Sequence, residues 1–128
     1  MIVWGGYTGA GNYGSDGGRF NPITNQWIPL SLTNAPSSRS GPVAVWNGTE
    51  MIVWGGNNGN TPLGDGGRFN PATNVWTTVA SSNAVARYYH TAVWAGNQMI
   101  LFGGYTGSTD LNDTWNYRTF TLYLYQHP

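Results

Sequence analysis

Met1-Ile2-Val3-Trp4-Gly5-Gly6 returns unchanged as Met51-Ile52-Val53-Trp54-Gly55-Gly56, and once more as Met99-Ile100-Leu101-Phe102-Gly103-Gly104. A second phrase travels with the first. Gly17-Gly18-Arg19-Phe20-Asn21-Pro22-Ile23-Thr24-Asn25-Gln26-Trp27 comes back as residues 66–76 with two changes in eleven. Pro42-Val43-Ala44-Val45-Trp46-Asn47-Gly48 is echoed by His90-Thr91-Ala92-Val93-Trp94-Ala95-Gly96. Copies of the first phrase open at Met1, Met51 and Met99, a nearly constant interval, so the chain is read first as a repeat array.

Each repeat divides into short strands. Val43–Trp46 and Met51–Trp54 are two apolar runs separated by an Asn-Gly turn, the strongest short-range hairpin signal. Ile-Val-Trp lacks polar alternation, which suits a strand covered on both faces. Gly67–Asn70 is the third strand. The Asn-Pro-Ala-Thr-Asn that follows is a tight turn, with Pro presetting φ and Asn tolerating the left-handed region. A fourth strand starts at Val75-Trp76. No window carries a helical period. The expectation is an all-β fold of propeller blades, because a repeat this long with runs ending in Gly-Gly does not suit a helical solenoid.

The recurring order is Arg, apolar strand, short turn, apolar strand ending in Gly-Gly, a Phe-Asn-Pro turn and Trp. It resembles the kelch repeat over essentially the whole chain. The third repeat departs from it: Asn112–Tyr117 fits the third strand, no Asn-Pro turn follows, and Phe120–Tyr125 is expected as the closing fourth strand. The resemblance implies one domain, 1–128, with blades at about 1–32, 39–80 and 87–126. It also implies that the strand missing from the first blade is the innermost one, since the chain opens on a second strand.

Propellers close with roughly four to eight blades. Three would leave two apolar faces in water, more than a monomer ordinarily tolerates. The expectation is therefore a six-bladed ring made by homodimerisation around a two-fold axis, the commonest oligomer symmetry. The alternative is that the sequence is the C-terminal half of a longer natural or engineered propeller.

Composition narrows the functions. The chain has five Arg and no Lys against four Asp and one Glu, a net charge of zero, so no basic face is available for nucleic acid or anionic membrane. The absence of cysteine removes disulfides, thiolate chemistry and zinc–cysteine sites, and with them the cysteine-crosslinked tyrosine of kelch copper oxidases. No run approaches the length of a membrane span, and no N-terminal stretch reads as a signal peptide, which leaves the compartment open.

In kelch domains that capture acidic peptides, an arginine in the register of Arg39 and Arg87 points into the central pocket, and the residue after Gly-Gly lines the same face. The resemblance thus nominates Arg39, Arg87, Tyr7, Asn57, Asn58, Tyr105 and Tyr88 for an acidic peptide or a glycan. Against this stands a structural role, in which the repeated arginines bond loop carbonyls between blades. The tryptophans are read as blade packing, with Trp46 and Trp94 the ones placed to be exposed as sugar platforms. Arg19 and Arg68 are expected at a blade junction or in solvent. Asn57–Asn60 is rich in oxygen but lacks calcium-loop spacing, so no metal is expected and no cofactor. His90 and His127 are not paired with carboxylates that would make a catalytic set. The functional expectation is a non-enzymatic, self-assembling interaction module. A sugar-acting enzyme and a fragment without selected activity are the alternatives.

Overall fold

The computed structural model describes residues 1–79 and 83–118. The expected strand at Phe120–Tyr125, and His127 with it, lie outside the described residues. Among the described residues there is no helix, and twelve strands form four antiparallel sheets. The first sheet is β1 (Ile2–Trp4), β4 (Gly17–Asn21) and β5 (Gln26–Pro29). A small hairpin, β2 (Tyr7–Gly9) with β3 (Asn12–Tyr13), rises from its end. The second sheet runs β6 (Val43–Trp46), β7 (Met51–Trp54), β8 (Gly66–Asn70), β9 (Val75–Val79). The third contains β10 (Thr91–Ala95), β11 (Gln98–Tyr105) and β12 (Asp110–Arg118).

The turns form for the reasons their residues supply. Asn25 and Asn74 sit at φ 54° and 57°, while Asn21 and Asn70 accept the amides of Ile23 and Ala72, each at 2.9 Å. Asn47 accepts two amides across the β6–β7 turn, and Gly48 takes φ 100° beside it. The paired glycines serve two different needs. Gly55 and Gly56 have φ of 70° and 101°, which turn the chain sharply after β7. Gly66 and Gly67 are needed for space: a Cβ on Gly66 would run into the Val53 carbonyl, and one on Gly67 would meet Pro36 and the Trp76 ring.

The sheets pack face to face, and each has a front and a back. Trp4 and Ile2 on the back of the first sheet meet Met51, Val53, Phe69 and Trp76 on the front of the second, where Trp4 and Trp76 stand edge to face at 4.7 Å. Val45, Ile52, Trp54 and Val79 on the back of the second meet Met99 and Leu101 of the third, flanked by Trp115 and Tyr117. All four residues of β7 are buried, as a run without polar alternation requires.

Two elements depart from the sequence reading. The β2–β3 hairpin falls in what reads as loop, because Tyr7-Thr8-Gly9 has no apolar alternation. Strands β11 and β12 run longer than expected: a bulge between Phe102 and Gly104 lets pairing continue to Tyr105 and Asp110, where the first repeat breaks into a separate hairpin.

Gly66→Ala is expected to cost about 1–3 kcal/mol in urea unfolding, through the clash with the Val53 carbonyl and not through φ.

Candidate functional site

The strongest polar constellation is where successive sheets meet, and it is built twice. Arg39 and Arg87 are fully buried. The guanidinium of Arg39 donates to the Ser37 carbonyl at 2.9 Å, to the Gly55 and Asp65 carbonyls at 3.0 Å, and to Asp65 Oδ1 at 3.1 Å. Arg87 repeats this on Val85 and Gly103, each at 2.9 Å, and grips both carboxylate oxygens of Asp113 at 2.5 and 2.9 Å. The backbone of each arginine faces the other way. Gly6 donates to the Arg39 carbonyl, and Arg39 N to that of Gly14. Gly56 and Leu63 do the same for Arg87. Each arginine thus holds one repeat with its backbone and the next with its side chain.

The resemblance set Arg39 and Arg87 in a central pocket for an acidic ligand; in this structure both side chains are buried. Their donors are committed to carbonyls and carboxylates at a sheet junction, because a buried guanidinium must be satisfied where it lies. The partners Asp65 and Asp113 were not singled out as such in the sequence. A signal existed: each lies 26 residues after its arginine.

The other nominated residues lie at the loop ends. Tyr7 and Asn58 are exposed; Asn57, Tyr88 and Tyr105 are half-buried. Tyr88 stands edge to face with Tyr89 at 4.7 Å and with Tyr105 at 5.6 Å, and Tyr7 with Tyr13 at 5.6 Å. Burial, with the neighbouring Tyr105 and Tyr89, raises the Tyr88 hydroxyl above its ordinary value. The Asn57 and Asn58 side-chain oxygens accept amides of their own loop, so these asparagines act as turn formers. Arg19 reaches the Pro71 carbonyl of the next repeat, and Arg68 meets Glu50 at 3.4 Å. Trp46 is half exposed, whereas Trp94 is covered on one side and donates to the Gly96 carbonyl. Trp27, expected to be packing, is also half exposed.

His90 is buried edge-on to Trp54 at 5.4 Å and packs over Gly55. Burial, and after it the nearby Arg87 charge, lowers its pKa to about 4. The Arg87 bonds hold the Asp113 carboxyl well below the usual carboxylate range, and the Trp115 indole, donating at 2.6 Å, assists.

The model of the KLHDC2/KLHL20/DRC7 Kelch-repeats domain matches residues 1–127. No curated protein matches the chain.

Arg87→Ala is expected to destabilise by about 2–4 kcal/mol, since it strands the Gly103 carbonyl and the Asp113 carboxylate together. A second expectation concerns acid. With a folded pKa near 4 and an ordinary value of 6.5, His90 binds its proton first in the unfolded chain. Its contribution is complete above pH 6.5 and lost as pH falls towards 4, at no more than about 1.4 kcal/mol per pH unit. The Asp113 contribution is lost only below its ordinary value of 3.8. Urea unfolding across pH 7.5 to 4.5 should show this slope in the wild type and a flatter one in His90→Gln.

Proposed function

This chain belongs to the kelch-repeat family, and we propose that it is a non-enzymatic interaction module of three blades whose first partner is a second copy of itself. One observation carries this reading. Met1, Val3 and Trp27 are 69%, 44% and 52% exposed, while the same residue types at the matching positions of the second repeat, Met51, Val53 and Trp76, are 4%, 1% and 1% exposed. The difference is what stands in front of them. At the other end, Val93 and Phe102 are 58% and 51% exposed, where their counterparts Val45 and Trp54 are buried.

The uncovered front of the first sheet and the uncovered back of the third are the two halves of a contact already made twice inside the chain. Two copies related by a two-fold axis bring each front against the other's back, and six blades complete a ring. Arg39 and Arg87 support the ring from within. The tyrosine-rich loop ends, with Tyr7, Tyr88, Tyr105 and Asn58, remain as the surface for a peptide or glycan. His90, packed against Trp54 beside a guanidinium, suits a structural part better than that of a base.

Light scattering should give twice the 13.9 kDa mass of one chain. Phe102→Asp should halve the measured mass while the chain stays folded by circular dichroism. A folded wild-type species with the mass of a single chain at micromolar concentration would overturn the reading.

A further inference from the structure

Four turns of this chain are tied by an asparagine side chain, and they differ in the residue that follows. The Oδ1 atoms of Asn21, Asn47, Asn58 and Asn70 each accept backbone amides of their own turn. Asn21 and Asn70 precede Pro22 and Pro71, whose nitrogens carry no hydrogen. Asn47 and Asn58 precede glycine. With no side chain beside it, a glycine nitrogen is the least hindered nucleophile that can stand next to an asparagine amide.

The two Asn-Gly steps are held differently. Gly59 N donates to Asn57 Oδ1, and the Tyr13 ring lies so close to Gly59 that a Cβ there would meet it at 2.6 Å. Gly48 is exposed, and its nitrogen has no hydrogen-bond partner among the described residues. Beyond its chain neighbours, no atom lies within 4 Å of where its Cβ would stand. Asn47 Oδ1 meanwhile accepts Thr49 N at 2.9 Å and Glu50 N at 2.7 Å. Two donors on a carbonyl oxygen stabilise the negative charge that grows there when its carbon is attacked. Asn58 has comparable donors at 3.1 and 3.0 Å, so the nucleophile is what separates the two sites.

We propose that Asn47-Gly48 is a self-modification site at which the folded chain converts asparagine to aspartate and isoaspartate. The Gly48 nitrogen, its proton taken by hydroxide, attacks Asn47 Cγ. The N–Cγ bond forms, the Cγ–Nδ2 bond breaks, and Nδ2 leaves as ammonia with a proton from water. Water then opens the five-membered imide at either carbonyl, and the net charge of zero becomes one negative charge. Aspartate keeps both acceptor bonds of the turn. Isoaspartate threads the main chain through the side-chain carbon and lengthens a turn that sets Trp46 opposite Met51. Met51 and Ile52 beyond it are core residues, so the conversion weakens the packing on both faces of the second sheet. The site lies within one hairpin of the second repeat and does not depend on the two-copy ring.

Incubation of the folded chain in mildly alkaline buffer, followed by trypsin and mass spectrometry, tests this. Cleavage after Arg39 and Arg68 puts both Asn-Gly steps in one peptide, residues 40–68, where fragmentation assigns each. Asn47 is expected to convert at least about threefold faster than Asn58, since freeing Gly59 N means giving up its hydrogen bond. In urea the two rates should become alike. Asn57→Ala, which removes the acceptor from Gly59 N, should speed Asn58 several-fold and leave Asn47 unchanged. The converted chain should unfold at a lower urea concentration than the fresh one. An unconverted Asn47, an Asn58 that keeps pace with it in the folded chain, a difference that persists in urea, or an Asn58 rate indifferent to Asn57→Ala would each overturn the proposal.

Discussion

A four-stranded sheet made of runs such as Met-Ile-Val-Trp has two apolar faces and cannot leave either in water without cost. Everything else in this chain follows from that constraint. The middle sheet meets it fully, with the front of its β7 against the first sheet and the back against the third. Burial of one Trp, Phe or Ile side chain there contributes roughly 1.5–3 kcal/mol, so the two stacked junctions dominate the stability. The outer sheets carry closely similar runs, and their uncovered faces leave Met1, Val3 and Trp27 exposed at one end and Val93 and Phe102 at the other.

Apolar stacking alone does not fix the angle between sheets. Arg39 and Arg87 add directional bonds at the junctions, because a planar guanidinium must point its five donors at carbonyls and a carboxylate. Their backbones are bonded to the preceding repeat and their side chains to the following one, so each couples the register of two blades. The glycines make this possible. Gly55 leaves room for His90 and the Arg87 carbonyl, and Gly5 brings its backbone close to the Arg39 carbonyl.

Much of this was legible in the sequence. The repeat, the Asn-Gly and Asn-Pro turns and the strands of the second repeat all follow from local chemistry and periodicity. The role of the arginines was harder. The residue type suits both a ligand and a fold device, and only the distance to Asp65 and Asp113 separates them; the constant spacing to those aspartates was the available clue. Exposure was illegible for a different reason. Trp27 and Trp76 have nearly identical neighbours in sequence, and their surroundings differ only through the order in which the sheets stack. The β2–β3 hairpin was hidden because short, glycine-rich strands carry no alternation.

The central claim is that the front of the first sheet is a packing face in solution. Fluorine NMR of the chain labelled with 5-fluorotryptophan, the signals assigned by single Trp→Phe changes, addresses Trp27 directly. The account predicts that the Trp27 signal is as insensitive to exchange of water for deuterated water as that of Trp76, and that it becomes sensitive on dilution. A Trp27 signal that stays solvent-exposed at every concentration, beside a protected Trp76, would contradict it.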